Sequence, residues 1–301
     1  MASNINYVKP IVKWIGGKTQ IINTVIANFP TEIANYYEPF LGGGSVLFAL
    51  LQNIEMKHIK LTGHIYAYDI NETLIYMYKN LQNKPNEILI EIKKIINIYN
   101  NITGIAIIRK PKDLTEGITS QESYYYYIRQ IFNELSKEHK NSPTGSAYFI
   151  FLNKTCFRGM YREGSKGYYN VPFGHYVNPE IINEEHVKSI SKLIKKVHFI
   201  HSSFEEAFKN IKDNDFAYLD PPYAPINATS FVGYNVNGFN LEQHNLLFSM
   251  CKKIKFLMSN ADVELVKSAF KDYTIMIISC KRSINSKKPD SKVNEVLIKS
   301  Y

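Results

Sequence analysis

Strand-like and helix-like patterns alternate along most of this chain, and that alternation restricts the fold more than any other feature. Short apolar runs of β type occupy 36–40, 64–69, 197–202, 216–220, 255–260, 273–279 and 294–299, each ending at a turn or a polar residue. Helical patterns fall between most of them, at 45–52, 204–212, 241–253 and 263–270. Strands separated by helices predict an α/β fold built on a parallel sheet with right-handed crossovers. Only a short polar loop, 281–293, joins the last two strands. It leaves no room for a crossover helix, so these two are expected to pair antiparallel at the sheet's end. The alternation is interrupted once. From 71 to 189 helical stretches follow one another (87–99, 121–139, 146–154), and a Gly- and Arg-rich segment, 157–174, then reads as two short strands around a Gly/Ser/Lys turn. We read 71–189 as a second domain inserted into the first, which comprises 1–70 and 190–301.

Composition narrows the function classes. Of 301 residues, 45% are hydrophobic and 21% charged, enough apolar material for a packed core. Thirty-six Lys and Arg against 27 Asp and Glu leave a formal charge of +9, which favours a polyanion such as nucleic acid. The first residues lack the basic and apolar regions of a signal peptide, and no apolar run approaches the ~20 residues of a membrane span. Three widely spaced cysteines (Cys156, Cys251 and Cys280) argue against a disulfide framework or a cysteine zinc site. The histidines show no H-E-x-x-H or H-x-E spacing. The expectation is an intracellular, cytoplasmic protein with no membrane partner and no metal.

Four motifs carry chemistry. In Glu38-Pro39-Phe40-Leu41-Gly42-Gly43-Gly44-Ser45 a strand runs into three glycines and a helix opens at Ser45. Glycines allow close backbone approach, and a helix N-terminus offers N–H donors. Leu47 stands where the dinucleotide fingerprint needs its third glycine, so a tight strand-to-helix turn is the competing use. Asp69 ends the next strand, where an acid can bind ribose hydroxyls or cap the following helix. Asp220-Pro221-Pro222-Tyr223 follows a third strand. Its Asp side chain and a proline carbonyl make two acceptors, which suit an exocyclic amine with two N–H bonds, and its tyrosine can stack on a planar base. Lys13-Trp14-Ile15-Gly16-Gly17-Lys18-Thr19 ends like a P-loop, but Val12 occupies the place of the required first glycine. The run Tyr124-Tyr125-Tyr126-Tyr127 would point all round a helix, and core plus surface is the preferred reading.

Taken together, and in this order, these motifs resemble the Dam-type (D12 class, group alpha) DNA adenine-N6 methyltransferases, which use S-adenosylmethionine. The resemblance spans nearly the whole chain. It includes Asp69-Ile70-Asn71, Asn170-Val171-Pro172-Phe173-Gly174, Leu241-Glu242-Gln243, Ser259-Asn260 and Arg282-Ser283-Ile284. It implies a Rossmann-like methyltransferase sheet with an inserted, mainly helical target-recognition domain carrying a β-hairpin. It implies that Trp14, Lys18, Phe40, Gly42, Gly44, Ser45, Asp69 and Asp220 surround the cofactor. Asp220 and the Pro221 carbonyl would hold the adenine amine, with Tyr223 stacked on the extruded base. Lys13 and Arg162 resemble residues that meet base edges, and Phe157 a ring that enters the DNA stack; Arg158, Met160 and Pro172 lie in the same recognition segment. Arg158 and Met160 stand where bacterial Dam enzymes carry asparagine and leucine, and Glu163-Gly164 also differ, so the target is GATC or a related short motif. Lys281 and Arg282, with Lys287 and Lys288, are expected phosphate contacts.

The expected partner is double-stranded DNA, bound as a monomer or weak dimer, with a cognate restriction endonuclease where the chain serves a restriction–modification pair. Two alternatives stay open at this point. One is methylation of another acceptor, cytosine-N4 or a protein; the other is a non-catalytic DNA-binding relic.

Overall fold

A computed structural model describes residues 5–225, 239–281 and 292–301, with the backbone alone at 280, 281, 292 and 293. Seven strands form the central sheet: β1 (Tyr36–Glu38), β2 (Ile65–Asp69), β3 (Val197–His201), β4 (Phe216–Leu219), β5 (Lys255–Ala261), β6 (Thr274–Lys281) and β7 (Lys292–Lys299). Their spatial order is β3-β2-β1-β4-β5-β7-β6. The first five are mutually parallel; β7 inserts antiparallel between β5 and β6. The expected terminal antiparallel pair is thus present, and it closes an otherwise parallel sheet. A two-residue parallel pair, Glu32–Ile33 with Lys60–Leu61, lies outside the main sheet and leaves too short a pattern to read from sequence.

Both sheet faces are covered, as the apolar strands require. Alternate residues of β4 divide between two buried clusters: Phe216 and Tyr218 face one, Ala217 and Leu219 the other. The first cluster gathers the helix Ser45–Glu55 and the helices Glu72–Asn83, Pro85–Asn101, Gln121–Glu134, Pro143–Thr155 and Glu184–Leu193. The second gathers Phe204–Phe208, Leu241–Cys251 and Glu264–Ala269. The helix Leu241–Cys251 starts with a capping box between Asn240 and Gln243, which gives the Leu241-Glu242-Gln243 motif a local structural use.

Several local expectations change. The helix expected over 121–139 stops at Glu134, because Leu135 turns extended and Ser136 caps a new short helix, Lys137–Lys140. The hairpin expected over 157–174 lacks continuous strands. It holds the isolated bridges Cys156↔Phe173 and Glu163↔Tyr169, and its first turn is a 3-10 turn, Phe157–Gly159. Arg158 and Gly159 both have positive φ there, and that twist breaks any ladder. Tyr124, Tyr125 and Tyr126 are buried, and the Tyr125 hydroxyl donates to the Val171 carbonyl at 2.7 Å, so the tyrosine run belongs mainly to the core.

Candidate active site

The strand order reverses between β1 and β4, and a crevice at the C-terminal ends of strands at such a point is where open α/β sheets bind ligands. The predicted motifs converge there. Leaving β1, the chain makes a turn in which Gly42 and Gly44 take φ of +50° and +74°, a region that favours glycine. A Cβ on Gly42 would lie 2.9 Å from Trp14 Cδ1. Trp14 therefore packs directly over the glycine loop, and its other neighbour is the stacked ring of Tyr161 at 5.6 Å.

Gly44 precedes the helix Ser45–Glu55 and supplies no side-chain cap. Glu38, at the end of β1, lies close to the Leu47 amide of that first turn, and the Tyr36 hydroxyl donates to its Oε2 at 2.7 Å. The Glu38 carboxyl is 98% buried from solvent. Burial pushes the Glu38 carboxyl up to about 8; the Tyr36 hydroxyl and the nearby Leu47 amide oppose the rise, and the charges of Asp220 and Asp69 add to it.

Asp69 ends β2. Its Oδ2 accepts from the Gly42 amide at 2.9 Å and its Oδ1 from the Asn71 amide at 2.8 Å. It braces the glycine loop, whereas the helix Glu72–Asn83 is capped by Asn71, whose Oδ1 accepts from the Leu74 amide. Each Asp69 oxygen retains a second lone pair for a ligand. A cavity of about 580 Å³ opens beside it, between Ile70, Asn71 and Thr73 on one side and Tyr161, Glu163 and Tyr169 on the other.

Asp220 follows β4. Lys18, almost fully buried, reaches it from the other end of the sequence, with Nζ 2.7 Å from Oδ2. Burial raises the Asp220 carboxyl, the Lys18 ammonium pulls it back, and the Glu295 carboxylate adds to the rise. Ser45 Oγ accepts from the Lys18 amide at 3.2 Å, so this residue also ties the N-terminal segment to the glycine loop. The Lys18 ammonium lies 5.0 Å from the centroid of the Tyr223 ring. Phe40 stacks on Phe204 at 5.6 Å, flooring the crevice on the side of Phe239. Pro221 is buried and Pro222 exposed.

A second group of predicted residues lies on an adjoining surface. Buried Asn153 accepts from the Lys13 amide at 2.8 Å and donates to the carbonyls of Lys13 and Gly159. The Phe157 amide donates to the Pro172 carbonyl at 2.8 Å. These bonds bring Lys13, Phe157, Arg158 and Pro172 together; all four are exposed, and Arg158 lies against the Phe157 ring. Met160 is partly buried against the core, while Arg162 is exposed further along the hairpin and donates to Asn170 Oδ1 at 2.6 Å. The Lys281 side chain, Arg282, Lys287 and Lys288 lie outside the described residues. Among the described residues no group of three His, Cys, Asp or Glu is arranged to hold a metal ion, and no helix is long and apolar enough to cross a membrane.

Sequence reasoning missed three residues in this region. Glu38 belongs to the glycine motif in sequence, and nothing local marks its carboxyl as buried and bonded to Tyr36. Asn153 carries no pattern that separates it from any other helix asparagine. Glu295, whose Oε2 accepts from the Tyr223 hydroxyl at 2.7 Å, lies 72 residues from its partner and had no local signal.

Comparison with known proteins gives a consistent result. The model of the family described as D12 class N6 adenine-specific DNA methyltransferase matches residues 14–284. The chain is 35% identical to the Type II methyltransferase M.MjaIII of Methanocaldococcus jannaschii, over 98% of this chain and 99% of that protein. It is 27% identical to a DNA adenine methylase of Vibrio cholerae, over 96% and 95% of the two chains. It is 29% identical to the Retron Ec67 DNA adenine methylase of Escherichia coli, over 94% and 87%.

Proposed function

The chain belongs to the D12 class N6 adenine-specific DNA methyltransferases, and on that premise we propose a site-specific enzyme that extrudes its target adenine from double-stranded DNA and methylates the exocyclic amine directly. The observation that carries this reading is the 2.7 Å ion pair between Lys18 and Asp220. It joins the Lys-Trp-x-Gly-Gly-Lys segment to Asp-Pro-Pro-Tyr beside the glycine loop, across 202 residues of sequence.

S-adenosylmethionine is the proposed methyl donor; bound, it supplies an electrophilic methyl group on a sulfonium. The residues present fit such a group. Glu38, Asp69 and Asp220 are three carboxyls held up by burial, with Lys18 as the cation paired to one of them. A cationic, hydroxyl-bearing ligand relieves that excess. Trp14, Phe40, Gly42, Gly44, Ser45 and Asp69 are the residues proposed to hold it.

The protein's own contribution is positioning. Lys18 holds one oxygen of Asp220, leaving the other to accept from the adenine amine, while the Pro221 carbonyl accepts the second amine hydrogen. Two accepted hydrogen bonds turn the amine's lone pair away from the ring and towards the methyl group. Taking the base out of the duplex costs a few kcal/mol, and stacking on Tyr223, worth roughly 1–3 kcal/mol, offsets much of it. Fixed alignment of the reacting atoms then supplies most of the acceleration.

Residues 71–189 are proposed as the target-recognition domain, with Lys13, Phe157, Arg158, Met160, Arg162 and Pro172 facing DNA and GATC or a related motif as the site. Arginine reads guanine bidentately, which gives Arg158 a means of specifying a base. The test is long-read modification sequencing of DNA treated with the protein and S-adenosylmethionine, with Asp220→Ala in parallel. N6-methyladenine in one short motif, lost in Asp220→Ala while DNA binding persists, is the expected result. Wild-type turnover by Asp220→Ala would overturn the assignment, and a methylated cytosine or protein would replace it.

A further inference from the structure

Tyr223 stands on the loop that leaves β4. Two residues from later strands restrain that loop. Asn260, fully buried at the end of β5, accepts from the Ala224 amide at 3.1 Å and fixes the backbone next to Tyr223. Glu295, on β7 opposite Ala261, accepts from the Tyr223 hydroxyl at 2.7 Å and fixes the ring itself. A hydrogen bond to a carboxylate is short and strong, and with the backbone held it leaves the ring one orientation. Lys18 lies near the face of that ring and pairs with Asp220, so Glu295, Tyr223, Lys18 and Asp220 form one connected arrangement.

We propose that Glu295 is a positioning residue for methyl transfer: it sets the Tyr223 ring as a fixed platform parallel to the incoming base, and so fixes the amine against Asp220 and Pro221. The antiparallel strand β7 thereby takes part in catalysis. The inference rests on the proposed extrusion of adenine onto Tyr223. Pre-orientation lowers the entropy lost when the base arrives, so its loss is read in kcat and leaves binding of the intact duplex unchanged.

The experiment compares Glu295→Ala, Glu295→Gln, Tyr223→Phe and the double variant Glu295→Ala/Tyr223→Phe in steady-state methyl transfer to duplex DNA. Glu295→Ala and Tyr223→Phe are each expected to lower kcat about tenfold, the scale of one charge-assisted hydrogen bond, with KM for DNA and donor affinity unchanged. The double variant should fall no further than either single one, since both changes remove the same bond. Glu295→Gln keeps an acceptor and should restore kcat to within about threefold of wild type. Independent, multiplying losses in the double variant would overturn the inference. So would a wild-type kcat in Glu295→Ala, or a Glu295→Gln variant as slow as Glu295→Ala. A duplex carrying 2-aminopurine at the target position separates the premise from the inference. If wild type gives no fluorescence rise, extrusion itself fails, and the platform with it. If wild type gives the rise but Glu295→Ala keeps wild-type kcat, only the role of Glu295 fails.

Discussion

Replacing Glu38 by Gln should flatten the pH dependence of folding stability. In the native protein this carboxyl is buried, accepts from Tyr36, and is pushed from its ordinary 4.5 up to about 8. In the unfolded chain it returns to the ordinary value. Between these two pH values the native state therefore holds a proton that the unfolded state has released. Stability falls as pH rises through this window, by about 1.4 kcal/mol per pH unit for a single group. The contribution is fully present below about 4.5 and is lost as pH passes about 8. Integrated from pH 5.5 to 7.5, the stability of wild type relative to Glu38→Gln should drop by roughly 2.5 kcal/mol. The absolute cost of the amide, which must find a partner for its second N–H, is the same at both pH values and cancels. Asp69 and Asp220 are also raised by burial, but both proteins carry them, so to first order they cancel too. Urea unfolding followed by circular dichroism at the two pH values measures the difference. A change below about 0.5 kcal/mol would mean that Glu38 is already ionised in the native state at pH 5.5, and the reasoning fails.

Two further outcomes follow from backbone geometry. Gly42→Ala places a Cβ at φ +50° and 2.9 Å from Trp14 Cδ1, so it should cost about 1–3 kcal/mol in a denaturant melt and weaken donor binding. Trp14, the chain's only tryptophan, provides the fluorescence readout for that binding. Arg158 holds φ +58°, where asparagine is better tolerated; Arg158→Asn should therefore raise stability by up to about 1 kcal/mol while weakening DNA binding. A variant that is less stable and binds DNA normally would show that the arginine serves the fold instead.

What the sequence made legible follows from how far each signal reaches. The inner strands were readable because both of their faces are buried, so apolar runs such as Phe216–Leu219 mark them without reference to neighbours, whereas the edge strands β3 and β6 are partly exposed and show only in their β-branched and aromatic residues. The glycine turn and the proline loop were readable because their residue types have few other uses. The break at Leu135 was less visible, since Ser136 looks the same inside a helix as at its start. The hairpin over 157–174 shows alternation in sequence, yet the left-handed Arg158 and Gly159 twist it out of ladder geometry. Contacts such as Asn153 with Lys13 and Glu295 with Tyr223 join residues far apart in sequence, so only the folded chain could pair them.

The strand ends divide the work of this site in a way the sheet order explains. β1, β2 and β4 are adjacent and parallel, so their C-terminal ends deliver Glu38, Asp69 and Asp220 to one crevice. Burial raises all three, the charges of Asp220 and Asp69 add to the rise at Glu38, and Lys18 pairs only with Asp220, the one proposed to touch the substrate amine. Running antiparallel, β7 brings its starting residues, with Glu295, to the edge of the crevice, opposite Ala261 on β5. The reversal of one strand thus lets β7 brace Tyr223 from its starting residues, while β1, β2 and β4 deliver the other acids of the site from their ends.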